Sequence, residues 1–314
     1  MNFDQLRFRG FLSQKLRKGC FCSLSYYLNP WWTRAYSRQE EIRAYLEDVV
    51  SKFGLRSYIQ FNTRVLTADW QEESSEWVVK GENGREFRGN FLFSAAGGLH
   101  IPNDTRFKDD EKFLGPKFHT AKWRHDVQLE GKKVAVIGTG ASAVQVVPNI
   151  AEKVSKLTVY QRTPAWVPER FDFKYPLILQ SIFSALPFLM RIHRSFYFWR
   201  NELRFHLVFD NRRTFIPDYF KKFVSKYIQS VVKDPETAKK LTPSYDLGCK
   251  RITPSDTYLK AFNMDHVDLI TDRVDRLDES GIITVNGEGK ETKSEFDVII
   301  LATGNFIHIF DYDR

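Results

Sequence analysis

Cysteine is scarce in this chain. Cys20, Cys22 and Cys249 are the only three in 314 residues, and their spacing makes neither a disulfide framework nor a zinc site. A reducing, cytoplasmic setting is therefore expected, and the Cys20-Phe21-Cys22 pair reads as incidental. No secretory leader is visible, because the basic, Phe- and Leu-dotted start MNFDQLRFRGFLSQKLRKG lacks an apolar core of the needed length. No apolar run is long enough to span a membrane. The longest uncharged stretch, 176–190, is too short and contains Pro187. It reads as a buried or interfacial helix within an amphipathic helical insertion that runs past Trp199. The net charge is +8, but the basic residues are scattered among acids instead of forming one tract, which argues against a nucleic-acid partner. Residues 1–57 hold no glycine fingerprint. What is abundant is aromatic: 15% of the chain, with 27 Phe, suggests a deep apolar site or extensive helix packing.

Against this background, residues 134–143 stand out. They read VAVIGTGASA. An unbroken apolar run of this kind is a strand buried on both faces, and it leads into Gly138-Thr139-Gly140-Ala141-Ser142-Ala143, a GxGxxA pattern. The first glycine makes the tight turn. The second lets a backbone approach a pyrophosphate, and the small third residue lets the next helix pack close. That helix, expected over 143–150 with Pro148 late in it, turns its unpaired N–H groups toward the phosphates. About 20 residues on, where an NAD site carries an acid for the ribose hydroxyl, the chain reads Gln161-Arg162-Thr163. A guanidinium suits a 2′-phosphate, so NADP is favoured over NAD; a lone surface arginine is the alternative.

The chain also carries a weak internal duplication. YIQFNTRV (58–65) and the hairpin-like stretch 76–98 are matched by VDLITDRV (267–274) and 281–305. Each copy shows a strand ending in Arg-Val, a Gly-rich hairpin, and an apolar strand ending at a small turn. Those turns are Ala95-Ala96-Gly97 and Ala302-Thr303-Gly304. Only the second copy is preceded by a strand and glycine turn. Upstream of the first lies a helix expected over 38–53, with Ser37 and Glu40 as a capping box. Its apolar face is Ile42, Tyr45, Leu46, Val49, Val50 and Phe53, and Gly54 closes it.

Several stretches resemble one family closely. FLGPKFHTAKW (113–123) fits FxGxxxHTxxW, and it is accompanied by NPWWTRAYSRQEEIRAYLEDVVSKFGL, FNTRV, VIGTGASAVQ, YQRTPAWVPER and GCKRITPSDTYLKAF. Over roughly residues 23–307 the chain is identified as a member of the Baeyer–Villiger monooxygenases, within the class B flavin-containing monooxygenases. The resemblance implies NADPH-driven reduction of FAD, uptake of dioxygen, and oxygen insertion beside a ketone, or oxidation of nitrogen or sulfur. It implies an α/β fold with two dinucleotide-binding domains. The NADP domain is complete, and the FAD domain lacks its N-terminal βαβ unit.

On the matching motifs, the resemblance assigns Gly138, Thr139, Gly140, Ala141, Ser142 and Ala143 to the NADP pyrophosphate, and Arg162 and Thr163 to its 2′-phosphate. Lys250 is placed near the nicotinamide nucleotide. Arg251 is placed as the catalytic arginine that supports the oxygenated flavin; read alone, this pair is a surface charge. His119 falls in the signature linker and Val65 beside the flavin adenine. The flavin GxGxxG and an upstream YPGxxCD segment are missing, and the family's long C-terminal segment has no counterpart. The chain is therefore expected to be a fragment, and the alternative is a non-catalytic NADP-binding remnant. Expected boundaries are 1–25 irregular, 26–125 partial FAD domain and linker, 126–270 NADP domain with a helical insertion at about 174–245, and 271–314 back in the partial FAD domain.

Overall fold

The computed structural model describes residues 22–95, 101–103, 105–209 and 215–306. The basic N-terminal segment, Cys20, the Ala96-Gly97 part of the first small turn and the residues after Phe306 lie outside them. Helix α1, Gln39–Lys52, buries Ile42, Tyr45 and Val49 at helical spacing and ends before Gly54, which takes the left-handed conformation at φ +62. The expected capping box does not form. Arg38 is the N-cap and makes no side-chain cap. The buried Ser37 hydroxyl instead donates to the Arg34 carbonyl at 3.4 Å.

The segment before α1 is stitched to a distant one. Ala35 N–H donates to the Phe173 carbonyl and Tyr175 N–H to the Thr33 carbonyl, each at 2.9 Å. The buried Asp172 carboxylate accepts from Arg34 Nε at 3.0 Å and from the Tyr36 backbone at 3.1 Å.

Strands β1 (Val65–Gln71), β2 (Glu76–Gly81) and β3 (Glu86–Gly89) form an antiparallel meander. The expected strand over 58–65 is displaced: the backbone is irregular between Ile59 and Arg64, and Val65 opens a strand instead of ending one. Strand β4, Ile101–Pro102, follows. Next comes a five-stranded parallel sheet built from β5 (Lys117–His119), β6 (Lys133–Ile137), β7 (Lys156–Tyr160), β8 (Val267–Ile270) and a later strand. Helix α2, Ala141–Ile150, crosses from β6 to β7 and holds Pro148 within it.

Between β7 and β8 come α3 (Leu177–Ala185), α4 (Pro187–Phe209), α5 (Phe215–Val231), α6 (Pro235–Leu241) and α7 (Tyr258–Ala261). Pro187 opens a second helix within the uncharged stretch, a first-turn position that suits it because no N–H is needed there.

A second meander, β9 (Arg273–Leu277), β10 (Gly281–Val285) and β11 (Glu291–Glu295), then leads into β12, Val298–Leu301. Strand β13, Asn305–Phe306, pairs with β4. The full sheet order is β5-β12-β6-β7-β8.

The expected boundary at residue 271 does not follow this hydrogen bonding. Val298–Leu301 pairs with both Val134–Ile137 and Lys117–His119. Strand pairing thus carries the glycine-turn unit well past 271. The sheet is covered on both faces, as its apolar strands require. Val134, Val136, Leu157, Val159, Val298 and Ile300 face α2 and the helical insertion. Ala135, Ile137, Tyr160, Ile299 and Leu301 face the second meander, with Leu277 and Ile282. A third core joins Trp32, Ala35 and α1 to Phe183 of α3 and Met190 of α4. Among the described residues, no helix is long and apolar enough to cross a membrane.

Candidate functional site

Strand order reverses at β6. The chain proceeds from β6 to β7 and β8 on one side and returns as β12 on the other. In parallel α/β sheets the crevice at the carboxyl ends of the strands beside such a reversal is where ligands bind. Gly138 lies there. Its N–H donates to the Tyr160 carbonyl at 2.9 Å. It sits at φ +111, and a Cβ on it would lie 2.5 Å from the Ala302 carbonyl oxygen, so only glycine fits.

Gly140 differs. A Cβ there would meet nothing within 4 Å, leaving open space directly ahead of α2. The first intrahelical bond runs from Val144 N–H to the Gly140 carbonyl. The amides of Ala141, Ser142 and Ala143 come before it, in the position that serves anions at helix N-termini. Ala143 is fully buried against the sheet. The Thr139 hydroxyl donates to the Thr163 carbonyl at 2.8 Å, which fixes the Arg162-Thr163 segment beside the glycine turn. Arg162 is exposed; among the described residues no hydrogen bond or ion pair engages its guanidinium.

Lys250 and Arg251 approach the same side through a backbone zipper. Thr253 N–H donates to the Trp166 carbonyl and Ser255 N–H to the Pro168 carbonyl, each at 2.9 Å. The Tyr245 hydroxyl donates to the Pro164 carbonyl at 2.9 Å, and Lys250 Nζ lies 5.3 Å from the centre of the Tyr245 ring. Both basic residues, like the free thiol of Cys249, are exposed. The stretch that carries them is therefore bound to the extension that leaves β7 through Arg162.

His119 ends β5, two strands from Ile137, or about 10 Å at ordinary strand spacing. It is buried. Its Nδ1 accepts from Ala121 N–H at 3.0 Å, so a neutral ring carries its proton on Nε2. Burial lowers its pKa below the usual histidine value, opposed by the Gly304 carbonyl. Val65 is not brought to this crevice. It is half-exposed at the start of β1, whose strand partner is β2.

Four polar atoms on the same edge went unread in the sequence. Thr120 Oγ1, Gln161 Oε1, Thr303 Oγ1 and Asn305 Oδ1 are buried and have no hydrogen-bond partner among the described residues. They follow the carboxyl ends of β5, β7 and β12. Buried polar atoms are nearly always paired, so these four single out the carboxyl edge, although the Gln161 amide N–H also donates to the Lys240 carbonyl at 2.7 Å, which turns that side chain toward α6. The available signal was positional: each comes just after a short strand of the sheet. The crevice therefore fits a dinucleotide.

The first copy of the duplication does not provide a second such seat. Among the described residues no glycine turn joins a strand to a helix there, and Phe91 and Phe93 are exposed. The described residues of that copy form no glycine-turn cradle for a flavin dinucleotide.

Comparison with known proteins agrees with these features. Residues 11–189 match the family described as pyridine nucleotide-disulphide oxidoreductase. The chain is 35% identical over 300 residues to a Baeyer-Villiger monooxygenase of Streptomyces coelicolor, covering 93% of this chain and 56% of that one. It is 37% identical over 299 residues to a Baeyer-Villiger monooxygenase of Pseudomonas aeruginosa, covering 91% and 54%. An oxidized steroid monooxygenase bound to NADP superposes with a TM-score of 0.78 at 30% identity, covering 96% of this chain and 64% of that one. Cyclohexanone monooxygenase, at 24% identity and a TM-score of 0.80, shares the fold. The chain spans about half the length of the curated relatives it matches.

Proposed function

Because the chain belongs to the pyridine nucleotide-disulphide oxidoreductase family and groups there with the Baeyer–Villiger monooxygenases, we propose that it supplies the NADP-binding unit of an NADPH- and FAD-dependent monooxygenase. The substrate class is a ketone or another organic molecule oxygenated at nitrogen or sulfur, with dioxygen as co-substrate and a reducing, cytoplasmic setting. One observation carries this reading. The glycine turn opens onto free space at Gly140, at the strand-order reversal, on the edge that also holds four unpartnered buried polar atoms.

In this reading the turn from Gly138 to Ala143 holds the pyrophosphate through backbone N–H groups, and Arg162 with Thr163 holds the 2′-phosphate. Bound NADPH supplies hydride. Lys250 adds positive charge beside the nicotinamide nucleotide. Arg251 is the catalytic arginine in this reading; its exposed guanidinium is accessible to a ligand. Neutral, buried His119 ties the linker to the carboxyl edge of β12 and orients it. Val65 is assigned to the flavin side, where the described residues form no glycine-turn cradle. The NADP domain comprises residues 126–270, with the helical insertion at about 174–245, together with β9–β12, whose last strand pairs with β6.

Calorimetric titration tests the assignment. NADPH should bind the chain about tenfold to hundredfold more tightly than NADH, from one or more charge-assisted hydrogen bonds of about 1.5–3 kcal/mol. Arg162→Ala should erase the difference; equal affinities in the unmodified chain would remove the 2′-phosphate site. A second reading, a non-catalytic NADP-binding remnant, is favoured by the exposed apolar segment 91–93 of the first copy. Gel filtration after incubation with FAD separates the two. A retained yellow spectrum would support oxygenation by this chain, and a colourless, NADPH-binding protein would support the remnant.

A further inference from the structure

We propose that the outer face of the α3–α4 hairpin docks on the surface of an anionic lipid bilayer, with its apolar side chains in the headgroup boundary and its basic ones at the lipid phosphates. The inner face of the hairpin is already occupied: Phe183 and Met190 pack on Trp32 and the apolar stripe of α1. A surface helix with one seated face normally turns polar residues outward. This one does not. Phe188, Ile192, Phe196, Trp199 and Leu203 fall at steps of four, four, three and four, a single stripe along α4, and each is 55–68% exposed. Leu177 and Ile178 at the start of α3 are still more exposed, at 76% and 72%, and Leu186 in the turn between the helices is 45% exposed. An apolar surface of this extent on a soluble protein marks an interaction site.

Charge selects the occupant. From residue 173 to 201 the sequence contains Lys174, Arg191, Arg194 and Arg200 and no Asp or Glu, although acids and bases are interspersed elsewhere. Arg194 is also tied down, donating to the Ser23 carbonyl at 2.8 Å, and Arg200 lies over the Tyr197 ring. Arg191 and Lys174 are exposed. A positive field, bounded by Asp172 on one side and by Glu202 beside Leu203 on the other, next to an apolar stripe rich in Phe and Trp complements a plane of lipid phosphates over acyl chains. A protein partner needs no such one-sided charge. The arginines along α4 keep it from crossing the bilayer, so the hairpin lies on the surface.

The test is flotation of the whole 314-residue chain with vesicles in a density gradient, where aggregates stay at the bottom and lipid-bound protein rises. Vesicles of phosphatidylcholine alone are compared with vesicles that also contain phosphatidylserine. Partitioning onto the anionic vesicles should be at least about tenfold stronger and should weaken with salt. The double substitution Phe196→Glu with Trp199→Glu should abolish flotation while leaving the circular dichroism spectrum and melting temperature unchanged, since both side chains are exposed. Arg191→Glu should reduce partitioning about fivefold or more. Equal binding to both vesicle types, or flotation untouched by the double substitution, would overturn the proposal. A non-floating chain that forms a concentration-dependent dimer in sedimentation velocity, lost in the double variant, would also overturn it and assign the face to a second copy.

Discussion

The two copies of the duplicated unit differ sharply in fate. Each folds into a three-stranded antiparallel meander, β1–β3 in the first and β9–β11 in the second. Each then runs into a short apolar stretch, FLF at 91–93 and VIIL at 298–301. In the second copy that stretch is a strand between β5 and β6, with Val298 2% and Ile300 0% exposed. In the first copy, among the described residues, it joins no sheet, and Phe91 and Phe93 are 83% and 90% exposed. An apolar tetrapeptide has no fold of its own. A neighbouring strand supplies both its hydrogen bonds and its burial.

Equivalent substitutions in the two copies should therefore behave in opposite ways, and this is the largest expected effect. Ile300→Asp puts a carboxylate into the middle of the sheet and should cost about 4 kcal/mol or more. Phe93→Asp, at the matching position, should change stability by less than about 0.5 kcal/mol and improve solubility. Denaturant melts of the two variants decide it, and equal losses would mean that the segment 91–93 is buried after all.

Gly138→Ala comes next. The added Cβ meets the Ala302 carbonyl in a left-handed backbone, so a loss of about 2–3 kcal/mol is expected, with NADPH binding lost alongside. A variant as stable as the parent would break the link between β6 and β12 on which the second copy depends. Arg162→Ala should leave the melting temperature within about 1 °C while removing the discrimination between NADPH and NADH, which would separate binding from scaffold in the glycine-turn unit.

The smallest effect concerns pH. Burial holds the His119 pKa below its unfolded value of 6.5, so the native state binds fewer protons than the unfolded chain in this range. The resulting stability is full above 6.5 and is lost as pH falls through the native pKa. In His119→Gln this part of the slope of stability against pH should vanish. An unchanged slope would show that the ring is already open to water.

Where the sequence was legible, the reason was local. The run Val134–Ile137, its glycines and Ala143 carry their own geometry: φ > 0 at Gly138, open space at Gly140 and close helix packing at Ala143 follow from side-chain size alone. The stripe Ile42, Tyr45 and Val49 is buried as its spacing requires. The misreadings came where a partner outside the segment decided. Ser37 and Glu40 had the right spacing for a capping box, yet Ser37 is buried and bonded to Arg34 instead. The Glu41 carboxylate accepts the Thr33 N–H at 2.6 Å. The stretch 58–64 had strand-like composition, yet it meets the turn after β2 through single contacts such as Glu82 N–H to the Arg64 carbonyl at 2.8 Å, and forms no strand ladder. The orphan polar atoms at Thr120, Gln161, Thr303 and Asn305 could not be grouped from sequence, because they come from three strands far apart along the chain.

The sequence by itself determined the glycine turn, the arginine in place of an acid, the helix that follows and the family motifs, since each depends on residue size, charge and spacing over a few positions. Only the tertiary structure decided that β12 completes the sheet of the glycine turn, that residues 91–93 join no sheet among the described residues, and that one face of α3–α4 is left apolar and exposed. Those outcomes depend on which surfaces meet, and burial is a property of pairs of segments that no single segment specifies.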